Sequence, residues 1–217
     1  MTKKEMGKRY LLFIISLFFI GLGIALTKRS ELGVSPISSV ANVMSYKFPA
    51  LSMGTWLMIS NLAMILGQIL LLRKRFQPIQ LLQIPLSFLF GYFTDFGMWI
   101  ATLFPNEVYL ARLGFVFVGV IILGFGIALS IIANVLLNSG EAFVKALADV
   151  LGKEFGDVKV AFDVVWVLFS ILLSLLFFDG ALVGIREGTL ISAFFTGMIA
   201  KWFRARLETS ITAFLAD

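Results

Sequence analysis

GLGIAL at Gly21–Leu26 returns as GFGIAL at Gly124–Leu129, 103 residues further along the chain. The match does not stand alone. Ser35-Pro36 corresponds to Ser139-Gly140 at an offset of 104, and Phe90-Gly91 to Thr196-Gly197 at 106. The drift is what small loop insertions produce. The chain is therefore read as a single transmembrane domain, residues 1–217, built from two copies of one unit, residues 8–104 and 110–206.

Composition says what the unit is made of. Of 217 residues, 59% are hydrophobic and 14% charged, with a mean hydropathy of +0.98. A soluble domain usually carries about 45–50% apolar and about 25% charged residues. One compact core cannot bury that excess, so a water-soluble globule is excluded, and the balance is the reverse of a disordered chain's. A bilayer-crossing helix needs about 20 apolar residues, rising about 1.5 Å each through about 30 Å of hydrocarbon. Six segments qualify: Tyr10–Thr27, Met53–Leu72, Leu81–Leu103, Leu113–Leu137, Val160–Phe178 and Gly188–Phe203. The first follows a basic stretch, but its apolar run is long for a signal peptide and no small-residue cleavage site precedes Lys28-Arg29, so it is expected to be retained.

Two further stretches, Ser35–Phe48 and Ser139–Phe155, are helical in pattern but too short or too polar to cross. In the second, Phe143, Leu147, Val150 and Leu151 share a face opposite Glu141, Lys145, Asp149 and Lys153, an amphipathic arrangement. Each would lie on the membrane surface or dip in and return on the same side. Each half then reads as span, short helix, span, span. Three crossings per half make the second copy enter from the opposite face. The expected fold is an all-α integral membrane protein of six transmembrane helices, arranged as two inverted three-span repeats, each with a re-entrant or interfacial helix. Inverted repeats recur in secondary transporters, whose sites lie near the midplane at the repeat interface. A duplicated packing unit with no transport role is the alternative.

The cations fix sidedness. Thirteen of the 18 Lys and Arg fall on one side of this topology and five on the other. The positive-inside rule then places both termini in the cytoplasm. Nucleic acid is not an expected partner, because the cations mark loop ends and form no continuous stripe.

The chain has neither Cys nor His. Disulfides, thiolate nucleophiles, imidazole bases and the commonest metal ligands are thereby removed. No HExxH, GxSxG or Walker A pattern occurs either. No enzyme activity, cofactor or metal is expected. The candidates for chemistry are the polar residues that interrupt the apolar spans. Asp95 lies well inside the third span, where an ionisable group is costly, and is expected to bind a substrate, a cation or a proton, or else to pack as a helix-to-helix hydrogen bond. Asn61, Gln68 and Asn134 are expected as interhelical glue or cavity lining. Ser35 with Pro36, and Ser139 with Glu141 two residues on, are expected to open the two short helices and to aim unpaired N–H groups at a ligand or at water. Glu141 would compete with an anion there. Arg186 and Glu187 stand at a cavity mouth or form an external ion pair, and Lys159 with Asp163 reads as an i,i+4 pair near the interface.

LGVSPISS at Leu32–Ser39, MGTW at Met53–Trp56 and VGIREGTLISAFFTG at Val183–Gly197 resemble the YczE/YyaS/YitT family of bacterial integral membrane proteins. The resemblance runs through nearly the whole chain. It implies a multi-pass protein of the bacterial cytoplasmic membrane and supplies no substrate. Asn138-Ser139-Gly140-Glu141 departs from a Gly-Pro-type helix opening, so the two helix starts are not chemically equivalent. The expected function is a small-molecule membrane transporter, or the substrate-binding membrane subunit of one, with its site at the repeat interface. Expected partners are membrane lipids and a small-molecule ligand. A homodimer is expected if so small a bundle transports alone. The alternative is a lipid-binding or scaffold protein using the basic clusters at Arg73–Arg75 and Lys201–Arg206.

Overall fold

The computed structural model describes residues 2–216, and among these every regular element is helical, with no strand. The helices are α1 (Lys3–Arg29), α2 (Ser39–Lys47), α3 (Met53–Leu72), α4 (Gln83–Thr102), α5 (Tyr109–Ala133), α6 (Ser139–Leu151), α7 (Phe155–Phe177) and α8 (Glu187–Ala216). A 3-10 turn at Pro36–Ser38 leads into α2. Five of them, α1, α3, α4, α5 and α7, are long and apolar enough to cross a membrane. The 30-residue α8 begins with the apolar stretch read as a sixth span, then carries Lys201, Arg204, Arg206 and Glu208 along its second half.

Local chemistry moves several boundaries from their expected places. The apolar run of α5 continues in sequence to Leu137, but Asn134 takes a left-handed conformation (φ 49°) and ends the helix at Ala133. Asn is among the few residues that adopt that region at small cost. Asn134 is thus an exposed helix cap and lies outside the helix interior. Gly152, at φ 64°, stops α6 at Leu151, and Phe155 opens α7 instead of closing the short helix.

The centre is an antiparallel pair. Arg9, early in α1, donates to the Ile132 and Ala133 carbonyls at the end of α5, at 3.4 and 3.2 Å. At the other end, Asn106 donates to the Arg29 carbonyl at 2.9 Å. The two helices touch through glycine. A Cβ added at Gly23 would lie 2.6 Å from the Leu123 backbone nitrogen, and one at Gly126 would lie 2.7 Å from that of Ile20. Only a residue without a side chain permits this approach.

Around the pair, α4 packs on α1 and α8 packs on α5. The short helices cross between halves: α6 lies on α3, and α2 lies on α7. Buried amides hold one of these contacts. Gln68 of α3 and Gln83 of α4 exchange hydrogen bonds at 3.1 and 3.2 Å, and Gln68 also donates to the Ser139 carbonyl at 3.1 Å. In hydrocarbon such groups must be paired within the protein. One neighbour pair breaks the pattern. α3 packs along α4, whereas α7 and α8 do not pack side by side.

The outer surface is apolar. Leu70, Leu110 and Phe194 are each more than 70% exposed, and many large hydrophobics join them. A belt of that extent does not suit water, and it fits a lipid surround. The protein is an all-α membrane-embedded bundle.

Candidate functional site

The missing α7–α8 contact leaves space. A cavity of about 320 Å³ lies there, bounded by both helices, by α1, α3, α4 and α5, and by the starts of the two short helices. Its size is at the lower end of small-molecule sites. α1, α3, α4 and α5 give the wall apolar side chains, Ile20, Leu57, Phe90 and Leu123 among them. Polar groups share the lining: Ser60 and Asn61 of α3, Ser35 before the first short helix, Glu141 of α6, and Lys159 and Asp163 of α7.

The first short helix reaches the cavity because the preceding turn drives the chain inward. Glu31 (φ 58°) and Gly33 (φ 112°) take left-handed conformations, and Leu32 and Val34 between and after them are fully buried. The Leu32 carbonyl accepts from the Gly188 N–H at 2.8 Å, tying the turn to the start of α8. Ser35 and Pro36 are thereby set in the cavity wall. The expected side-chain cap is absent. The Ser35 hydroxyl hydrogen-bonds the Ser38 hydroxyl at 3.0 Å and accepts from no backbone N–H. Trp166 of α7 fixes this start by donating to the Ile37 carbonyl at 3.1 Å.

At the second start the cap is one residue earlier than expected. Asn138 precedes α6 and its Oδ1 accepts from Ser139 N at 2.9 Å, making Ser139 the first helical residue. Ser139 is buried against Ser87, hydroxyl to hydroxyl at 3.2 Å, beside a void of about 10 Å³. That void has room for about one water. Ser139 is not part of the larger cavity, but Glu141 is.

Three charged side chains line the cavity. Lys159 and Asp163 form an ion pair at 2.5 Å on one face of α7. Glu141 stands near them and makes no hydrogen bond and no ion pair among the described residues; Lys159 is committed to Asp163. Asn61 is 7% exposed, and its Nδ2 has no acceptor. A buried donor without a partner costs about 1–3 kcal/mol.

The other sequence candidates lie elsewhere. Asp95 is not in the cavity. Its carboxylate reaches from α4 to the start of α3, accepting from Gly54 N at 2.8 Å and from the Ser52 hydroxyl at 2.5 Å. Ser52 in turn caps α3 through Thr55 N at 3.0 Å. Asp95 therefore clasps two helices, because a carboxylate at a helix N-terminus meets free N–H groups and a favourable dipole. Arg186 and Glu187 pair at 3.2 Å in an exposed position where Tyr109 donates to Glu187, away from the cavity. Asn134, as noted, caps α5.

Along α2, Lys28 donates to Asn42 at 2.9 Å and to Ser45 at 2.6 Å, and sits 4.2 Å from the Tyr46 ring centre. Burial first, and then the Glu31 carboxylate, raise the Tyr46 phenol above its ordinary pKa. Among the described residues no group of three or more acidic, His or Cys side chains could hold a metal.

Sequence reasoning placed Ser35, Pro36, Asn61 and Glu141 among the candidates, and the fold brings these four together. It did not place Lys159 and Asp163 there. The pair's spacing was legible, but its exposure to a cavity depends on α6 lying across α3, a long-range contact with no local signature.

No curated protein and no solved structure matches the chain. A family model described as "Family of unknown function (DUF6198)" matches residues 7–205 and does not carry the YczE/YyaS/YitT name. Covering nearly the whole bundle, that match places the protein in DUF6198, an uncharacterised family.

Proposed function

We propose that the protein is a small-molecule transporter of the bacterial cytoplasmic membrane whose substrate occupies the cavity between its halves. In this reading α8 is the sixth crossing and the halves are inverted repeats, as the internal matches and the YczE/YyaS/YitT-like motifs suggest. The packing supports the repeat: α1 on α4 corresponds to α5 on α8, and α6 on α3 corresponds to α2 on α7. The observation that carries the function is the break in this correspondence. The start of α3 is shut against α4, while the start of α7 stands apart from α8 beside the cavity. With both termini cytoplasmic, the closed contact is external and the open one internal. The bundle is then in an inward-facing state, and exchanging the two contacts would present the cavity to the outside, the alternating access expected of inverted repeats. The cycle uses one chain's own helices.

A second reading keeps some support. Val160 of α7 and Ala193 of α8, both exposed, flank the gap with small apolar surface, which suits a lipid tail as well as a solute. One experiment separates them. The chain has no Cys, so Ser60→Cys in the cavity wall is a single reporter. In oriented membrane vesicles, a membrane-impermeant thiol reagent should label it from the cytoplasmic face at rest, and from the external face in a fraction of molecules. Reaction from one face only, under every condition tried, would leave lipid binding and remove transport.

A further inference from the structure

We infer that the cavity is a site for a compact organic monocation, an amine or quaternary ammonium with an apolar body, and that Glu141 is its counter-ion. The inference deepens the transport reading and rests on its cavity being the substrate site.

Charge decides the class. Of the three charged groups in the wall, Lys159 and Asp163 neutralise each other, and Glu141 is left over. Its position in the first turn of α6 offsets part of the cost of that charge through the helix dipole. Lys159 attracts it as well, but that ammonium is hydrogen-bonded to both Asp163 oxygens and makes no ion pair with Glu141. A carboxylate facing apolar surface is costly until a cation joins it. The two helix starts at Pro36 and Ser139 would by themselves favour an anion. The second of them carries the protein's own carboxylate in its first turn, and an anion would have to sit beside Glu141 and Asp163 with the one lysine of the wall already paired. The net charge of the wall therefore selects a positive ligand.

The rest of the wall describes the ligand's body. Ile20, Leu57, Phe90 and Leu123 present hydrocarbon and one aromatic ring in the same cavity as Glu141, and the volume of about 320 Å³ limits the body to a small molecule. Asn61 supplies the independent sign of a ligand. Its amide is buried in the same wall with an unused N–H donor, which a hydroxyl, ether or carbonyl on the ligand would satisfy. A cation at one end, an apolar middle and one acceptor describe the expected class.

The test uses purified full-length protein and three probes of similar shape and different charge: benzyltrimethylammonium, its neutral carbon counterpart neopentylbenzene, and phenylacetate. Binding is read by calorimetry in detergent. Benzyltrimethylammonium should bind wild type, and Glu141→Gln should weaken it at least about tenfold, as loss of a charge-assisted contact implies. Glu141→Asp, which keeps the charge, should recover part of the affinity, and this rescue guards against a folding defect. Gly197→Phe, placed where nothing lies within 4 Å and in the cavity wall, should abolish binding by filling the site. Phenylacetate binding that Gly197→Phe removes would overturn the cation assignment while sparing the cavity as a site. Equal binding of all three probes, insensitive to Glu141→Gln, would do the same. If Gly197→Phe removes no binding of any probe, the cavity itself is not the site and both readings fall.

Discussion

The two ends of the molecule that should match do not. At the α3–α4 seam, Gly54 is the second residue of its helix and meets Gly91 so closely that an added Cβ would lie 2.0 Å from the Gly91 carbonyl oxygen. Asp95 then clasps Ser52 and Gly54 across the seam. In the other half Gly156 is likewise the second residue of its helix, and Gly197, in the cavity wall, is the counterpart of Gly91 in the proposed repeat; neither has anything within 4 Å of an added Cβ. The small residues needed for a tight seam are present in both halves and used in one. A glycine pair facing open space is wasteful in a static scaffold, since each Gly costs a helix about 1 kcal/mol relative to Ala. In the proposed transport cycle it is the seam of a second state. The clasp has its counterpart too. Glu154, before α7, stands where Ser52 does, and Lys201 of α8 where Asp95 does. They are unpaired with each other now and opposite in charge, as a latent closing contact would be.

The comparison can be broken from either side. The largest effect should come from Gly54→Leu, which must force backbone apart at the closed seam and cost about 3 kcal/mol or more. Gly156→Leu meets no atom and should leave thermal stability within about 0.5 kcal/mol of wild type. In the vesicle assay the first should raise external labelling of the Ser60→Cys reporter and the second should lower it. Equal destabilisation by the two leucines would show that the halves do not differ as described.

Asp95→Asn comes next. Losing its charge at the clasp should cost about 1–3 kcal/mol, read as a lower melting temperature. The benzyltrimethylammonium response should survive, because Asp95 lies outside the cavity. A variant that melts normally but binds no probe would return Asp95 to the ligand site.

The smallest effect is expected from charge reversal at the open gap. Lys201→Glu and Glu154→Lys are both exposed and should hardly alter the melting temperature. Each alone should depress external labelling of the cavity reporter, and the double reversal should restore it. Additive losses in the double variant would remove the latent ion pair from the account.

What was legible in the sequence divides along the same line. α3 was read to the residue, because Ser52 caps it and the basic run at Arg73–Arg75 ends it, both local signals. α5 was overrun by four residues because hydropathy continues past Asn134, where only backbone conformation marks the stop. Asp95 was recognised as an anomaly in an apolar span. Its partners, Ser52 and Gly54, lie about 40 residues earlier and become neighbours only through α3–α4 packing. Asn61 interrupts an apolar span and Glu141 stands in the first turn of a short helix, both visible in the chain, but their lack of hydrogen-bond partners is a property of the assembled bundle. Local chemistry is written in the chain, and the difference between its two halves is not.

In the proposed cycle the seam and the gap exchange. Spin labels at Val164 on α7 and Phe194 on α8, both exposed and on a background free of Cys, measure it directly by pulsed dipolar spectroscopy in lipid nanodiscs. Two distance populations should appear, with the shorter one enriched when Gly54→Leu holds α3 from α4. A single distance, unchanged by Gly54→Leu, would contradict the account.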